Sequence, residues 1–92
     1  MEFESDAWIG WQFDRREVGK GVVQAFRRPQ SAYETARFKL RGLEPQSTYT
    51  LTNLDLPGTI EMSGNELSEN GLPVAITNQP GAAVILYWRA AH

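Results

Sequence analysis

Trp8-Ile9-Gly10-Trp11-Gln12-Phe13, followed by Gly21-Val22-Val23-Gln24-Ala25-Phe26-Arg27-Arg28, is the stretch that decides the fold class. Both runs are rich in Val, Ile, Trp and Phe, side chains that favour extended backbone. The polar segment Asp14 to Lys20 between them carries a glycine, as a hairpin turn does. Side chains alternate across a strand, so Ile9, Trp11 and Phe13 share one face while Trp8, Gly10 and Gln12 share the other. Ile9, Trp11 and Phe13 are expected to fill the core. Trp8 then lies on the face where a free-standing sandwich would carry a polar residue. A strand apolar on both faces predicts a second packing partner.

The rest of the chain extends the same pattern. Arg28-Pro29-Gln30-Ser31-Ala32 is a turn, because a proline biases the residue before it away from helix. Tyr33 to Arg41 alternates, with Ala36, Phe38 and Leu40 inward and Arg37, Lys39 and Arg41 outward, a strand half buried and half solvated. After the turn Gly42 to Ser47, Tyr49, Leu51 and Asn53 alternate with Thr48, Thr50 and Thr52, which predicts a strand with a hydroxyl-bearing outer face. Asp55-Leu56-Pro57-Gly58 is a Pro-Gly turn, and Thr59 to Ser63 is a short strand. Asn65 to Gly71 forms one helical turn, with Ser63 or Asn65 as N-cap and Gly71 as the terminating glycine. Leu72 to Thr77 is a strand whose Pro73 belongs near its start or at an edge. A tight turn at Asn78 to Gly81 leads into the last strand, Ala82 to Arg89, which is apolar nearly throughout. The sum is an all-β chain, a small antiparallel β-sandwich of about seven strands with Greek-key-like connections.

Length and composition narrow the function. Ninety-two residues make a single β-sandwich domain, 1–92, and a small one. A chain 41% hydrophobic and 22% charged folds rather than stays disordered. With a formal net charge of -2 there is no basic field to attract nucleic acid or an anionic membrane. No apolar run approaches the roughly 18 residues of a membrane span. The acidic start, Met1 to Asp6, lacks the layout of a signal peptide, so a soluble chain is expected. Cysteine is absent, which excludes disulfides and thiolate metal sites and leaves stability to packing.

The sequence shows no recognisable catalytic constellation. The one histidine, His92, is the final residue, which removes histidine-based metal sites and Ser-His pairs. Gly19-Lys20-Gly21-Val22-Val23-Gln24 begins like a dinucleotide fingerprint, but Gln24 stands where the third glycine belongs and a strand follows. Glu34, Glu44, Asp55, Glu61, Glu66 and Glu69 could pair as two working carboxylates. Most of them fall in turns or outward positions, where a solvated charge is the simpler reading. Arg37, Lys39 and Arg41, with Arg27 and Arg28, read as a solvated basic row rather than a phosphate stripe. No catalytic, cofactor-binding or metal residue is expected.

Aromatic and apolar residues are the remaining candidates. Core packing is the simplest role for Trp11 and Trp88. Trp8, Tyr87 and Ile85 are the candidates for burial against another domain or, as the weaker alternative, for stacking on sugar.

These motifs, taken in order, resemble one module. They are Trp11-Gln12-Phe13, Gly19 to Arg28, Leu40-Arg41-Gly42-Leu43-Glu44-Pro45 with Tyr49, Ser63-Gly64-Asn65-Glu66-Leu67, Asn70-Gly71-Leu72 and Pro80 to Tyr87. The module is the C-terminal β-sandwich domain of α-galactosidase-like (melibiase-like) enzymes of glycoside hydrolase family 36. The resemblance covers about Ala7 to Tyr87. It implies a non-catalytic accessory domain that packs against a (β/α)8 catalytic barrel, with the catalytic aspartates in that preceding barrel and none in these residues. The chain is then an excised domain or the tail of a longer gene product. The alternative is a stand-alone carbohydrate-binding or interaction module.

Overall fold

The computed structural model describes residues 2–4, 8–28, 35–76 and 81–90. Among the described residues eight strands form: β1 (Glu2–Glu4), β2 (Trp8–Arg15), β3 (Lys20–Arg27), β4 (Thr35–Phe38), β5 (Thr48–Asn53), β6 (Ile60–Ser63), β7 (Leu72–Ala75) and β8 (Gly81–Arg89). One short helix, α1 (Gly64–Glu69), sits between β6 and β7. The larger sheet runs β1-β2-β3-β8-β5-β6, and the smaller pairs β4 with β7. All the pairings are antiparallel. The expected all-β architecture is present, with one strand more than the sequence signalled. That strand, β1, lies in the acidic opening segment, where composition carries no strand signal. β8 is last in the chain yet inserts between β3 and β5, so the most apolar strand becomes an interior one.

Local chemistry explains the connections. β2 and β3 pair in a continuous register from Trp8↔Arg27 to Arg15↔Lys20. A single 3-10 turn, Arg16–Val18, closes the hairpin, and Gly19 ends it at φ 65°, a left-handed conformation that glycine adopts without strain. The strand expected over Tyr33 to Arg41 is described over Thr35–Phe38 and ends at Phe38 rather than Arg41, but its alternation persists: Phe38 and Leu40 are buried, while Arg37, Lys39 and Arg41 are exposed. Ser63 caps α1 as expected. Its hydroxyl accepts from the Glu66 N–H at 3.0 Å, and the Glu66 carboxylate accepts from the Ser63 N–H at 3.3 Å, completing a capping box. Gly71, at φ 90°, ends the helix and donates its N–H to the Glu66 carbonyl. The turns expected at Pro29–Ala32 and Asn78–Pro80, with Tyr33, Glu34 and Thr77, lie outside the described residues.

The two faces of β2 are the reverse of the sequence expectation. Trp8, Gly10 and Gln12 point into the sandwich and are buried. Ile9 and Trp11 are only half-buried on the opposite face, and Phe13 is 54% exposed. The cause is the partner layer. At Gly10 the Phe38 ring from β4 comes so close that a Cβ would stand 3.0 Å from its Cε1. Gln12 meets the Arg41 backbone, its Nε2 donating to the Arg41 carbonyl at 2.8 Å and its Oε1 accepting the Arg41 N–H at 2.9 Å. A side chain without bulk and one that satisfies a buried peptide are what this inner surface accommodates. The core between the sheets is completed by Val23 and Ala25 of β3, Tyr49 and Leu51 of β5, Leu67 of α1, Leu72 and Val74 of β7, and Ala83 and Ile85 of β8.

Candidate functional site

Polar side chains converge at one place between the sheets. Tyr87 of β8 lies across from Gly21 of β3, and Asp14 of β2 lies beyond Gly21 in the same row. With no side chain at Gly21, the Tyr87 ring crosses to β2, where its hydroxyl donates to Asp14 Oδ1 at 2.6 Å. The same oxygen accepts from Gln12 Nε2 at 2.9 Å. Burial, reinforced by the hydrogen bond to Asp14, pushes the Tyr87 phenol well above its ordinary value. The cluster therefore holds its proton tightly and binds itself to itself. Its chemistry is that of a staple joining β2, β8 and the Arg41 backbone. It offers no activated nucleophile or base.

The residues singled out as interdomain or sugar-stacking candidates lie elsewhere than expected. Trp8, Ile85 and Tyr87 are 3%, 4% and 1% exposed, all inside this chain's own core. Trp8 packs edge-on against Phe38 with ring centroids 6.0 Å apart, and Tyr87 packs likewise against Tyr49 at 6.0 Å. None of the three presents a surface to sugar or to another domain. The basic row also divides. Arg27 is buried beside Trp8, with its Nη1 donating to the Ile76 carbonyl at 2.9 Å, whereas Arg37, Lys39 and Arg41 are exposed. Sequence reasoning missed Gln12 and Asp14 and read Arg27 as solvated, whereas it is buried. The available signal was polar residues inside or bordering apolar strand runs, which burial obliges to find partners.

The outer face of the large sheet holds the unclaimed apolar surface. Cross-strand registers place Ile9 beside Phe26, Trp11 beside Gln24 and Val84, and Phe13 beside Val22 and Leu86. Trp88 follows in the next row, between Lys20 and Thr50. Trp11 meets Phe26 edge-on at 5.5 Å. A second apolar region lies at the opposite edge. There a cleft of about 220 Å³ between β6 and β7 is lined by Leu51, Ile60, Val74 and Ile85, with Leu56 and Ile60 exposed in its lining and Leu54 exposed on the same loop. Among the described residues, no group of three or more His, Asp or Glu side chains could hold a metal ion. No helix in the described residues is long and apolar enough to cross a membrane.

The chain is thus a small two-layer antiparallel β-sandwich with a polar staple between its sheets and apolar residues on the outer face of its large sheet. The model of the glycosyl hydrolase family 36 C-terminal domain matches residues 7–88, and the chain belongs to that family. Among solved structures, the chain is similar to the galactosidase domain of an alpha-galactosidase-sucrose kinase, AgaSK, with a TM-score of 0.76 and 23% identity. The match covers 94% of this chain and 12% of that one, so the chain spans only a small part of that enzyme domain's length. At this identity the similarity shows a shared fold. A search of the curated proteins finds no match.

Proposed function

We propose that this chain is the non-catalytic C-terminal accessory domain of an α-galactosidase-like glycoside hydrolase, and that it packs against and stabilises a (β/α)8 catalytic barrel. The observation that carries this reading is the placement of its acids. Glu44, Asp55, Glu61, Glu66 and Glu69 are all exposed. An acid that delivers a proton near neutrality is held protonated by burial or by a neighbouring like charge, and a glycosidase sets two such groups across a substrate. Here Glu66 closes a helix cap and Asp14 holds Tyr87, so these acids serve the fold.

The test is an assay of the 92-residue chain with a chromogenic α-galactoside, run beside the whole enzyme that carries it. The expected result is no turnover by the chain alone and a lowered thermal midpoint of the enzyme once the domain is removed. Turnover by the isolated chain would overturn the reading. A saturable change in tryptophan emission on titration with galactosides would replace it with a carbohydrate-binding module.

A further inference from the structure

We infer that the outer face of the large sheet, over β2, β3 and β8 only, is the surface that seats the preceding catalytic domain of the same polypeptide. The inference rests on the accessory-domain reading and adds which surface makes the contact.

The outer face contains its own control. Across β5 the outward positions are Thr48, Thr50 and Thr52, and across β6 they include Glu61 and Ser63, as suits a sheet facing water. Across β2, β3 and β8 the same face carries Ile9, Trp11, Phe13, Val22, Phe26 and Leu86. The boundary between the two halves falls between neighbouring strands β8 and β5 of one continuous sheet. Phe13, Phe26 and Leu86 are exposed in this chain, and aromatic side chains lying contiguously on a sheet face mark a contact surface.

The direction of chain entry selects the occupant. A family defined as a C-terminal domain places its remaining sequence ahead of it, and the match spans 12% of the similar enzyme chain, which leaves a much larger body to be placed. That body is delivered at β1, which pairs directly with β2, the first strand of the apolar half. The rival surface, the cleft bordered by Leu56 and Ile60 with Leu54 exposed on the same loop, lies at the far, β5–β6 edge of the large sheet. A domain tethered at β1 reaches the apolar half of the outer face first.

Hydroxyl-radical footprinting of the 92-residue chain and of the whole enzyme separates these surfaces. Phe13, Trp11, Phe26 and Leu86 are expected to label in the chain and to lose labelling in the enzyme, with Leu54, Leu56 and Ile60 unchanged. The double variant Phe13→Ser, Leu86→Ser should restore labelling of Trp11 and Phe26 in the enzyme and split its thermal transition in two. The 92-residue chain carrying both substitutions should still unfold in one cooperative transition, at a modestly lower melting temperature, since Phe13 is 54% and Leu86 37% exposed in it. Protection of Leu54, Leu56 and Ile60 instead would overturn the inference while leaving the accessory-domain reading intact. Protection that fades on dilution would assign the face to a second copy, and this also overturns it. Protection of neither surface would overturn both the inference and the packing role.

Discussion

The ring of Tyr87 lies over Gly21, so close that a Cβ on Gly21 would stand 2.2 Å from both the Cζ and the hydroxyl oxygen of Tyr87. Glycine is a poor strand residue, yet here the neighbouring strand's aromatic ring covers the bare backbone and reaches Asp14 beyond it. The contact requires a hydrogen at that position. Gly21→Ala is expected to expel the ring from its seat and to break its bonds to Gln12 and Asp14, destabilising the chain by about 2–4 kcal/mol as overpacking and a lost hydrogen bond combine. Urea unfolding read by circular dichroism measures this. A midpoint equal to that of the parent chain would show that the ring can move aside freely.

The same hydroxyl makes stability depend on alkaline pH. Tyr87 ionises in the unfolded chain near its ordinary value of 10.0, whereas burial and Asp14 hold the folded phenol protonated to higher pH. Above pH 10 the unfolded state has released a proton that the folded state retains, so stability falls as pH rises, by up to about 1.4 kcal/mol per pH unit. Below that range this group contributes no slope. Tyr87→Phe should lower stability at pH 7 by about 1–3 kcal/mol through loss of its two hydrogen bonds, to Asp14 and from Gln12, and should remove the Tyr87 part of the alkaline decline. Unfolding midpoints of both chains between pH 8 and 11 test this, and parallel curves would refute it.

Trp8 and Trp11 are three residues apart on one strand and lie on opposite faces. Trp8→Ala removes a core ring packed on Phe38 and is expected to destabilise the isolated chain by about 3–5 kcal/mol. Trp11→Ala removes a half-buried ring whose described aromatic neighbour is Phe26, with an expected loss of about 1 kcal/mol. A larger loss for Trp11→Ala than for Trp8→Ala would mean that Trp11, not Trp8, faces the core.

Ser63→Ala deletes the cap of α1 and leaves the Glu66 N–H without its 3.0 Å acceptor. The expected loss is about 1 kcal/mol, with Ser63→Asp close to neutral because aspartate caps as well as serine. A thermal melt of the two variants decides it. If both melt alike and below the parent, the capping geometry is not what positions the helix.

Much of this fold can be read from local sequence. β5 is legible because its threonines alternate with Tyr49 and Leu51, and α1 because Ser63, Glu66 and Gly71 stand at capping distances. Strand β1 is not legible, since Glu2–Glu4 gains its extended form from pairing with Trp11, Gly10 and Ile9 rather than from its own composition. The polar staple was hidden for a related reason. Gln12, Asp14, Arg41 and Tyr87 come from three separate stretches, and Gln12 and Tyr87 are joined across 75 positions of chain.

What the sequence by itself determined is therefore which residues share a face: Ile9, Trp11 and Phe13 on one side of β2, Trp8, Gly10 and Gln12 on the other. Only the tertiary structure decided which side is the inside. Alternation has a period of two and is symmetric between the faces. The symmetry is broken by what arrives from the other layer: Phe38, which needs the gap at Gly10, and the Arg41 peptide, which needs the amide of Gln12. Hydrophobicity alone favours the opposite orientation. The apolar residues turned outward in consequence, Ile9, Trp11 and Phe13, form the face proposed above to meet a partner.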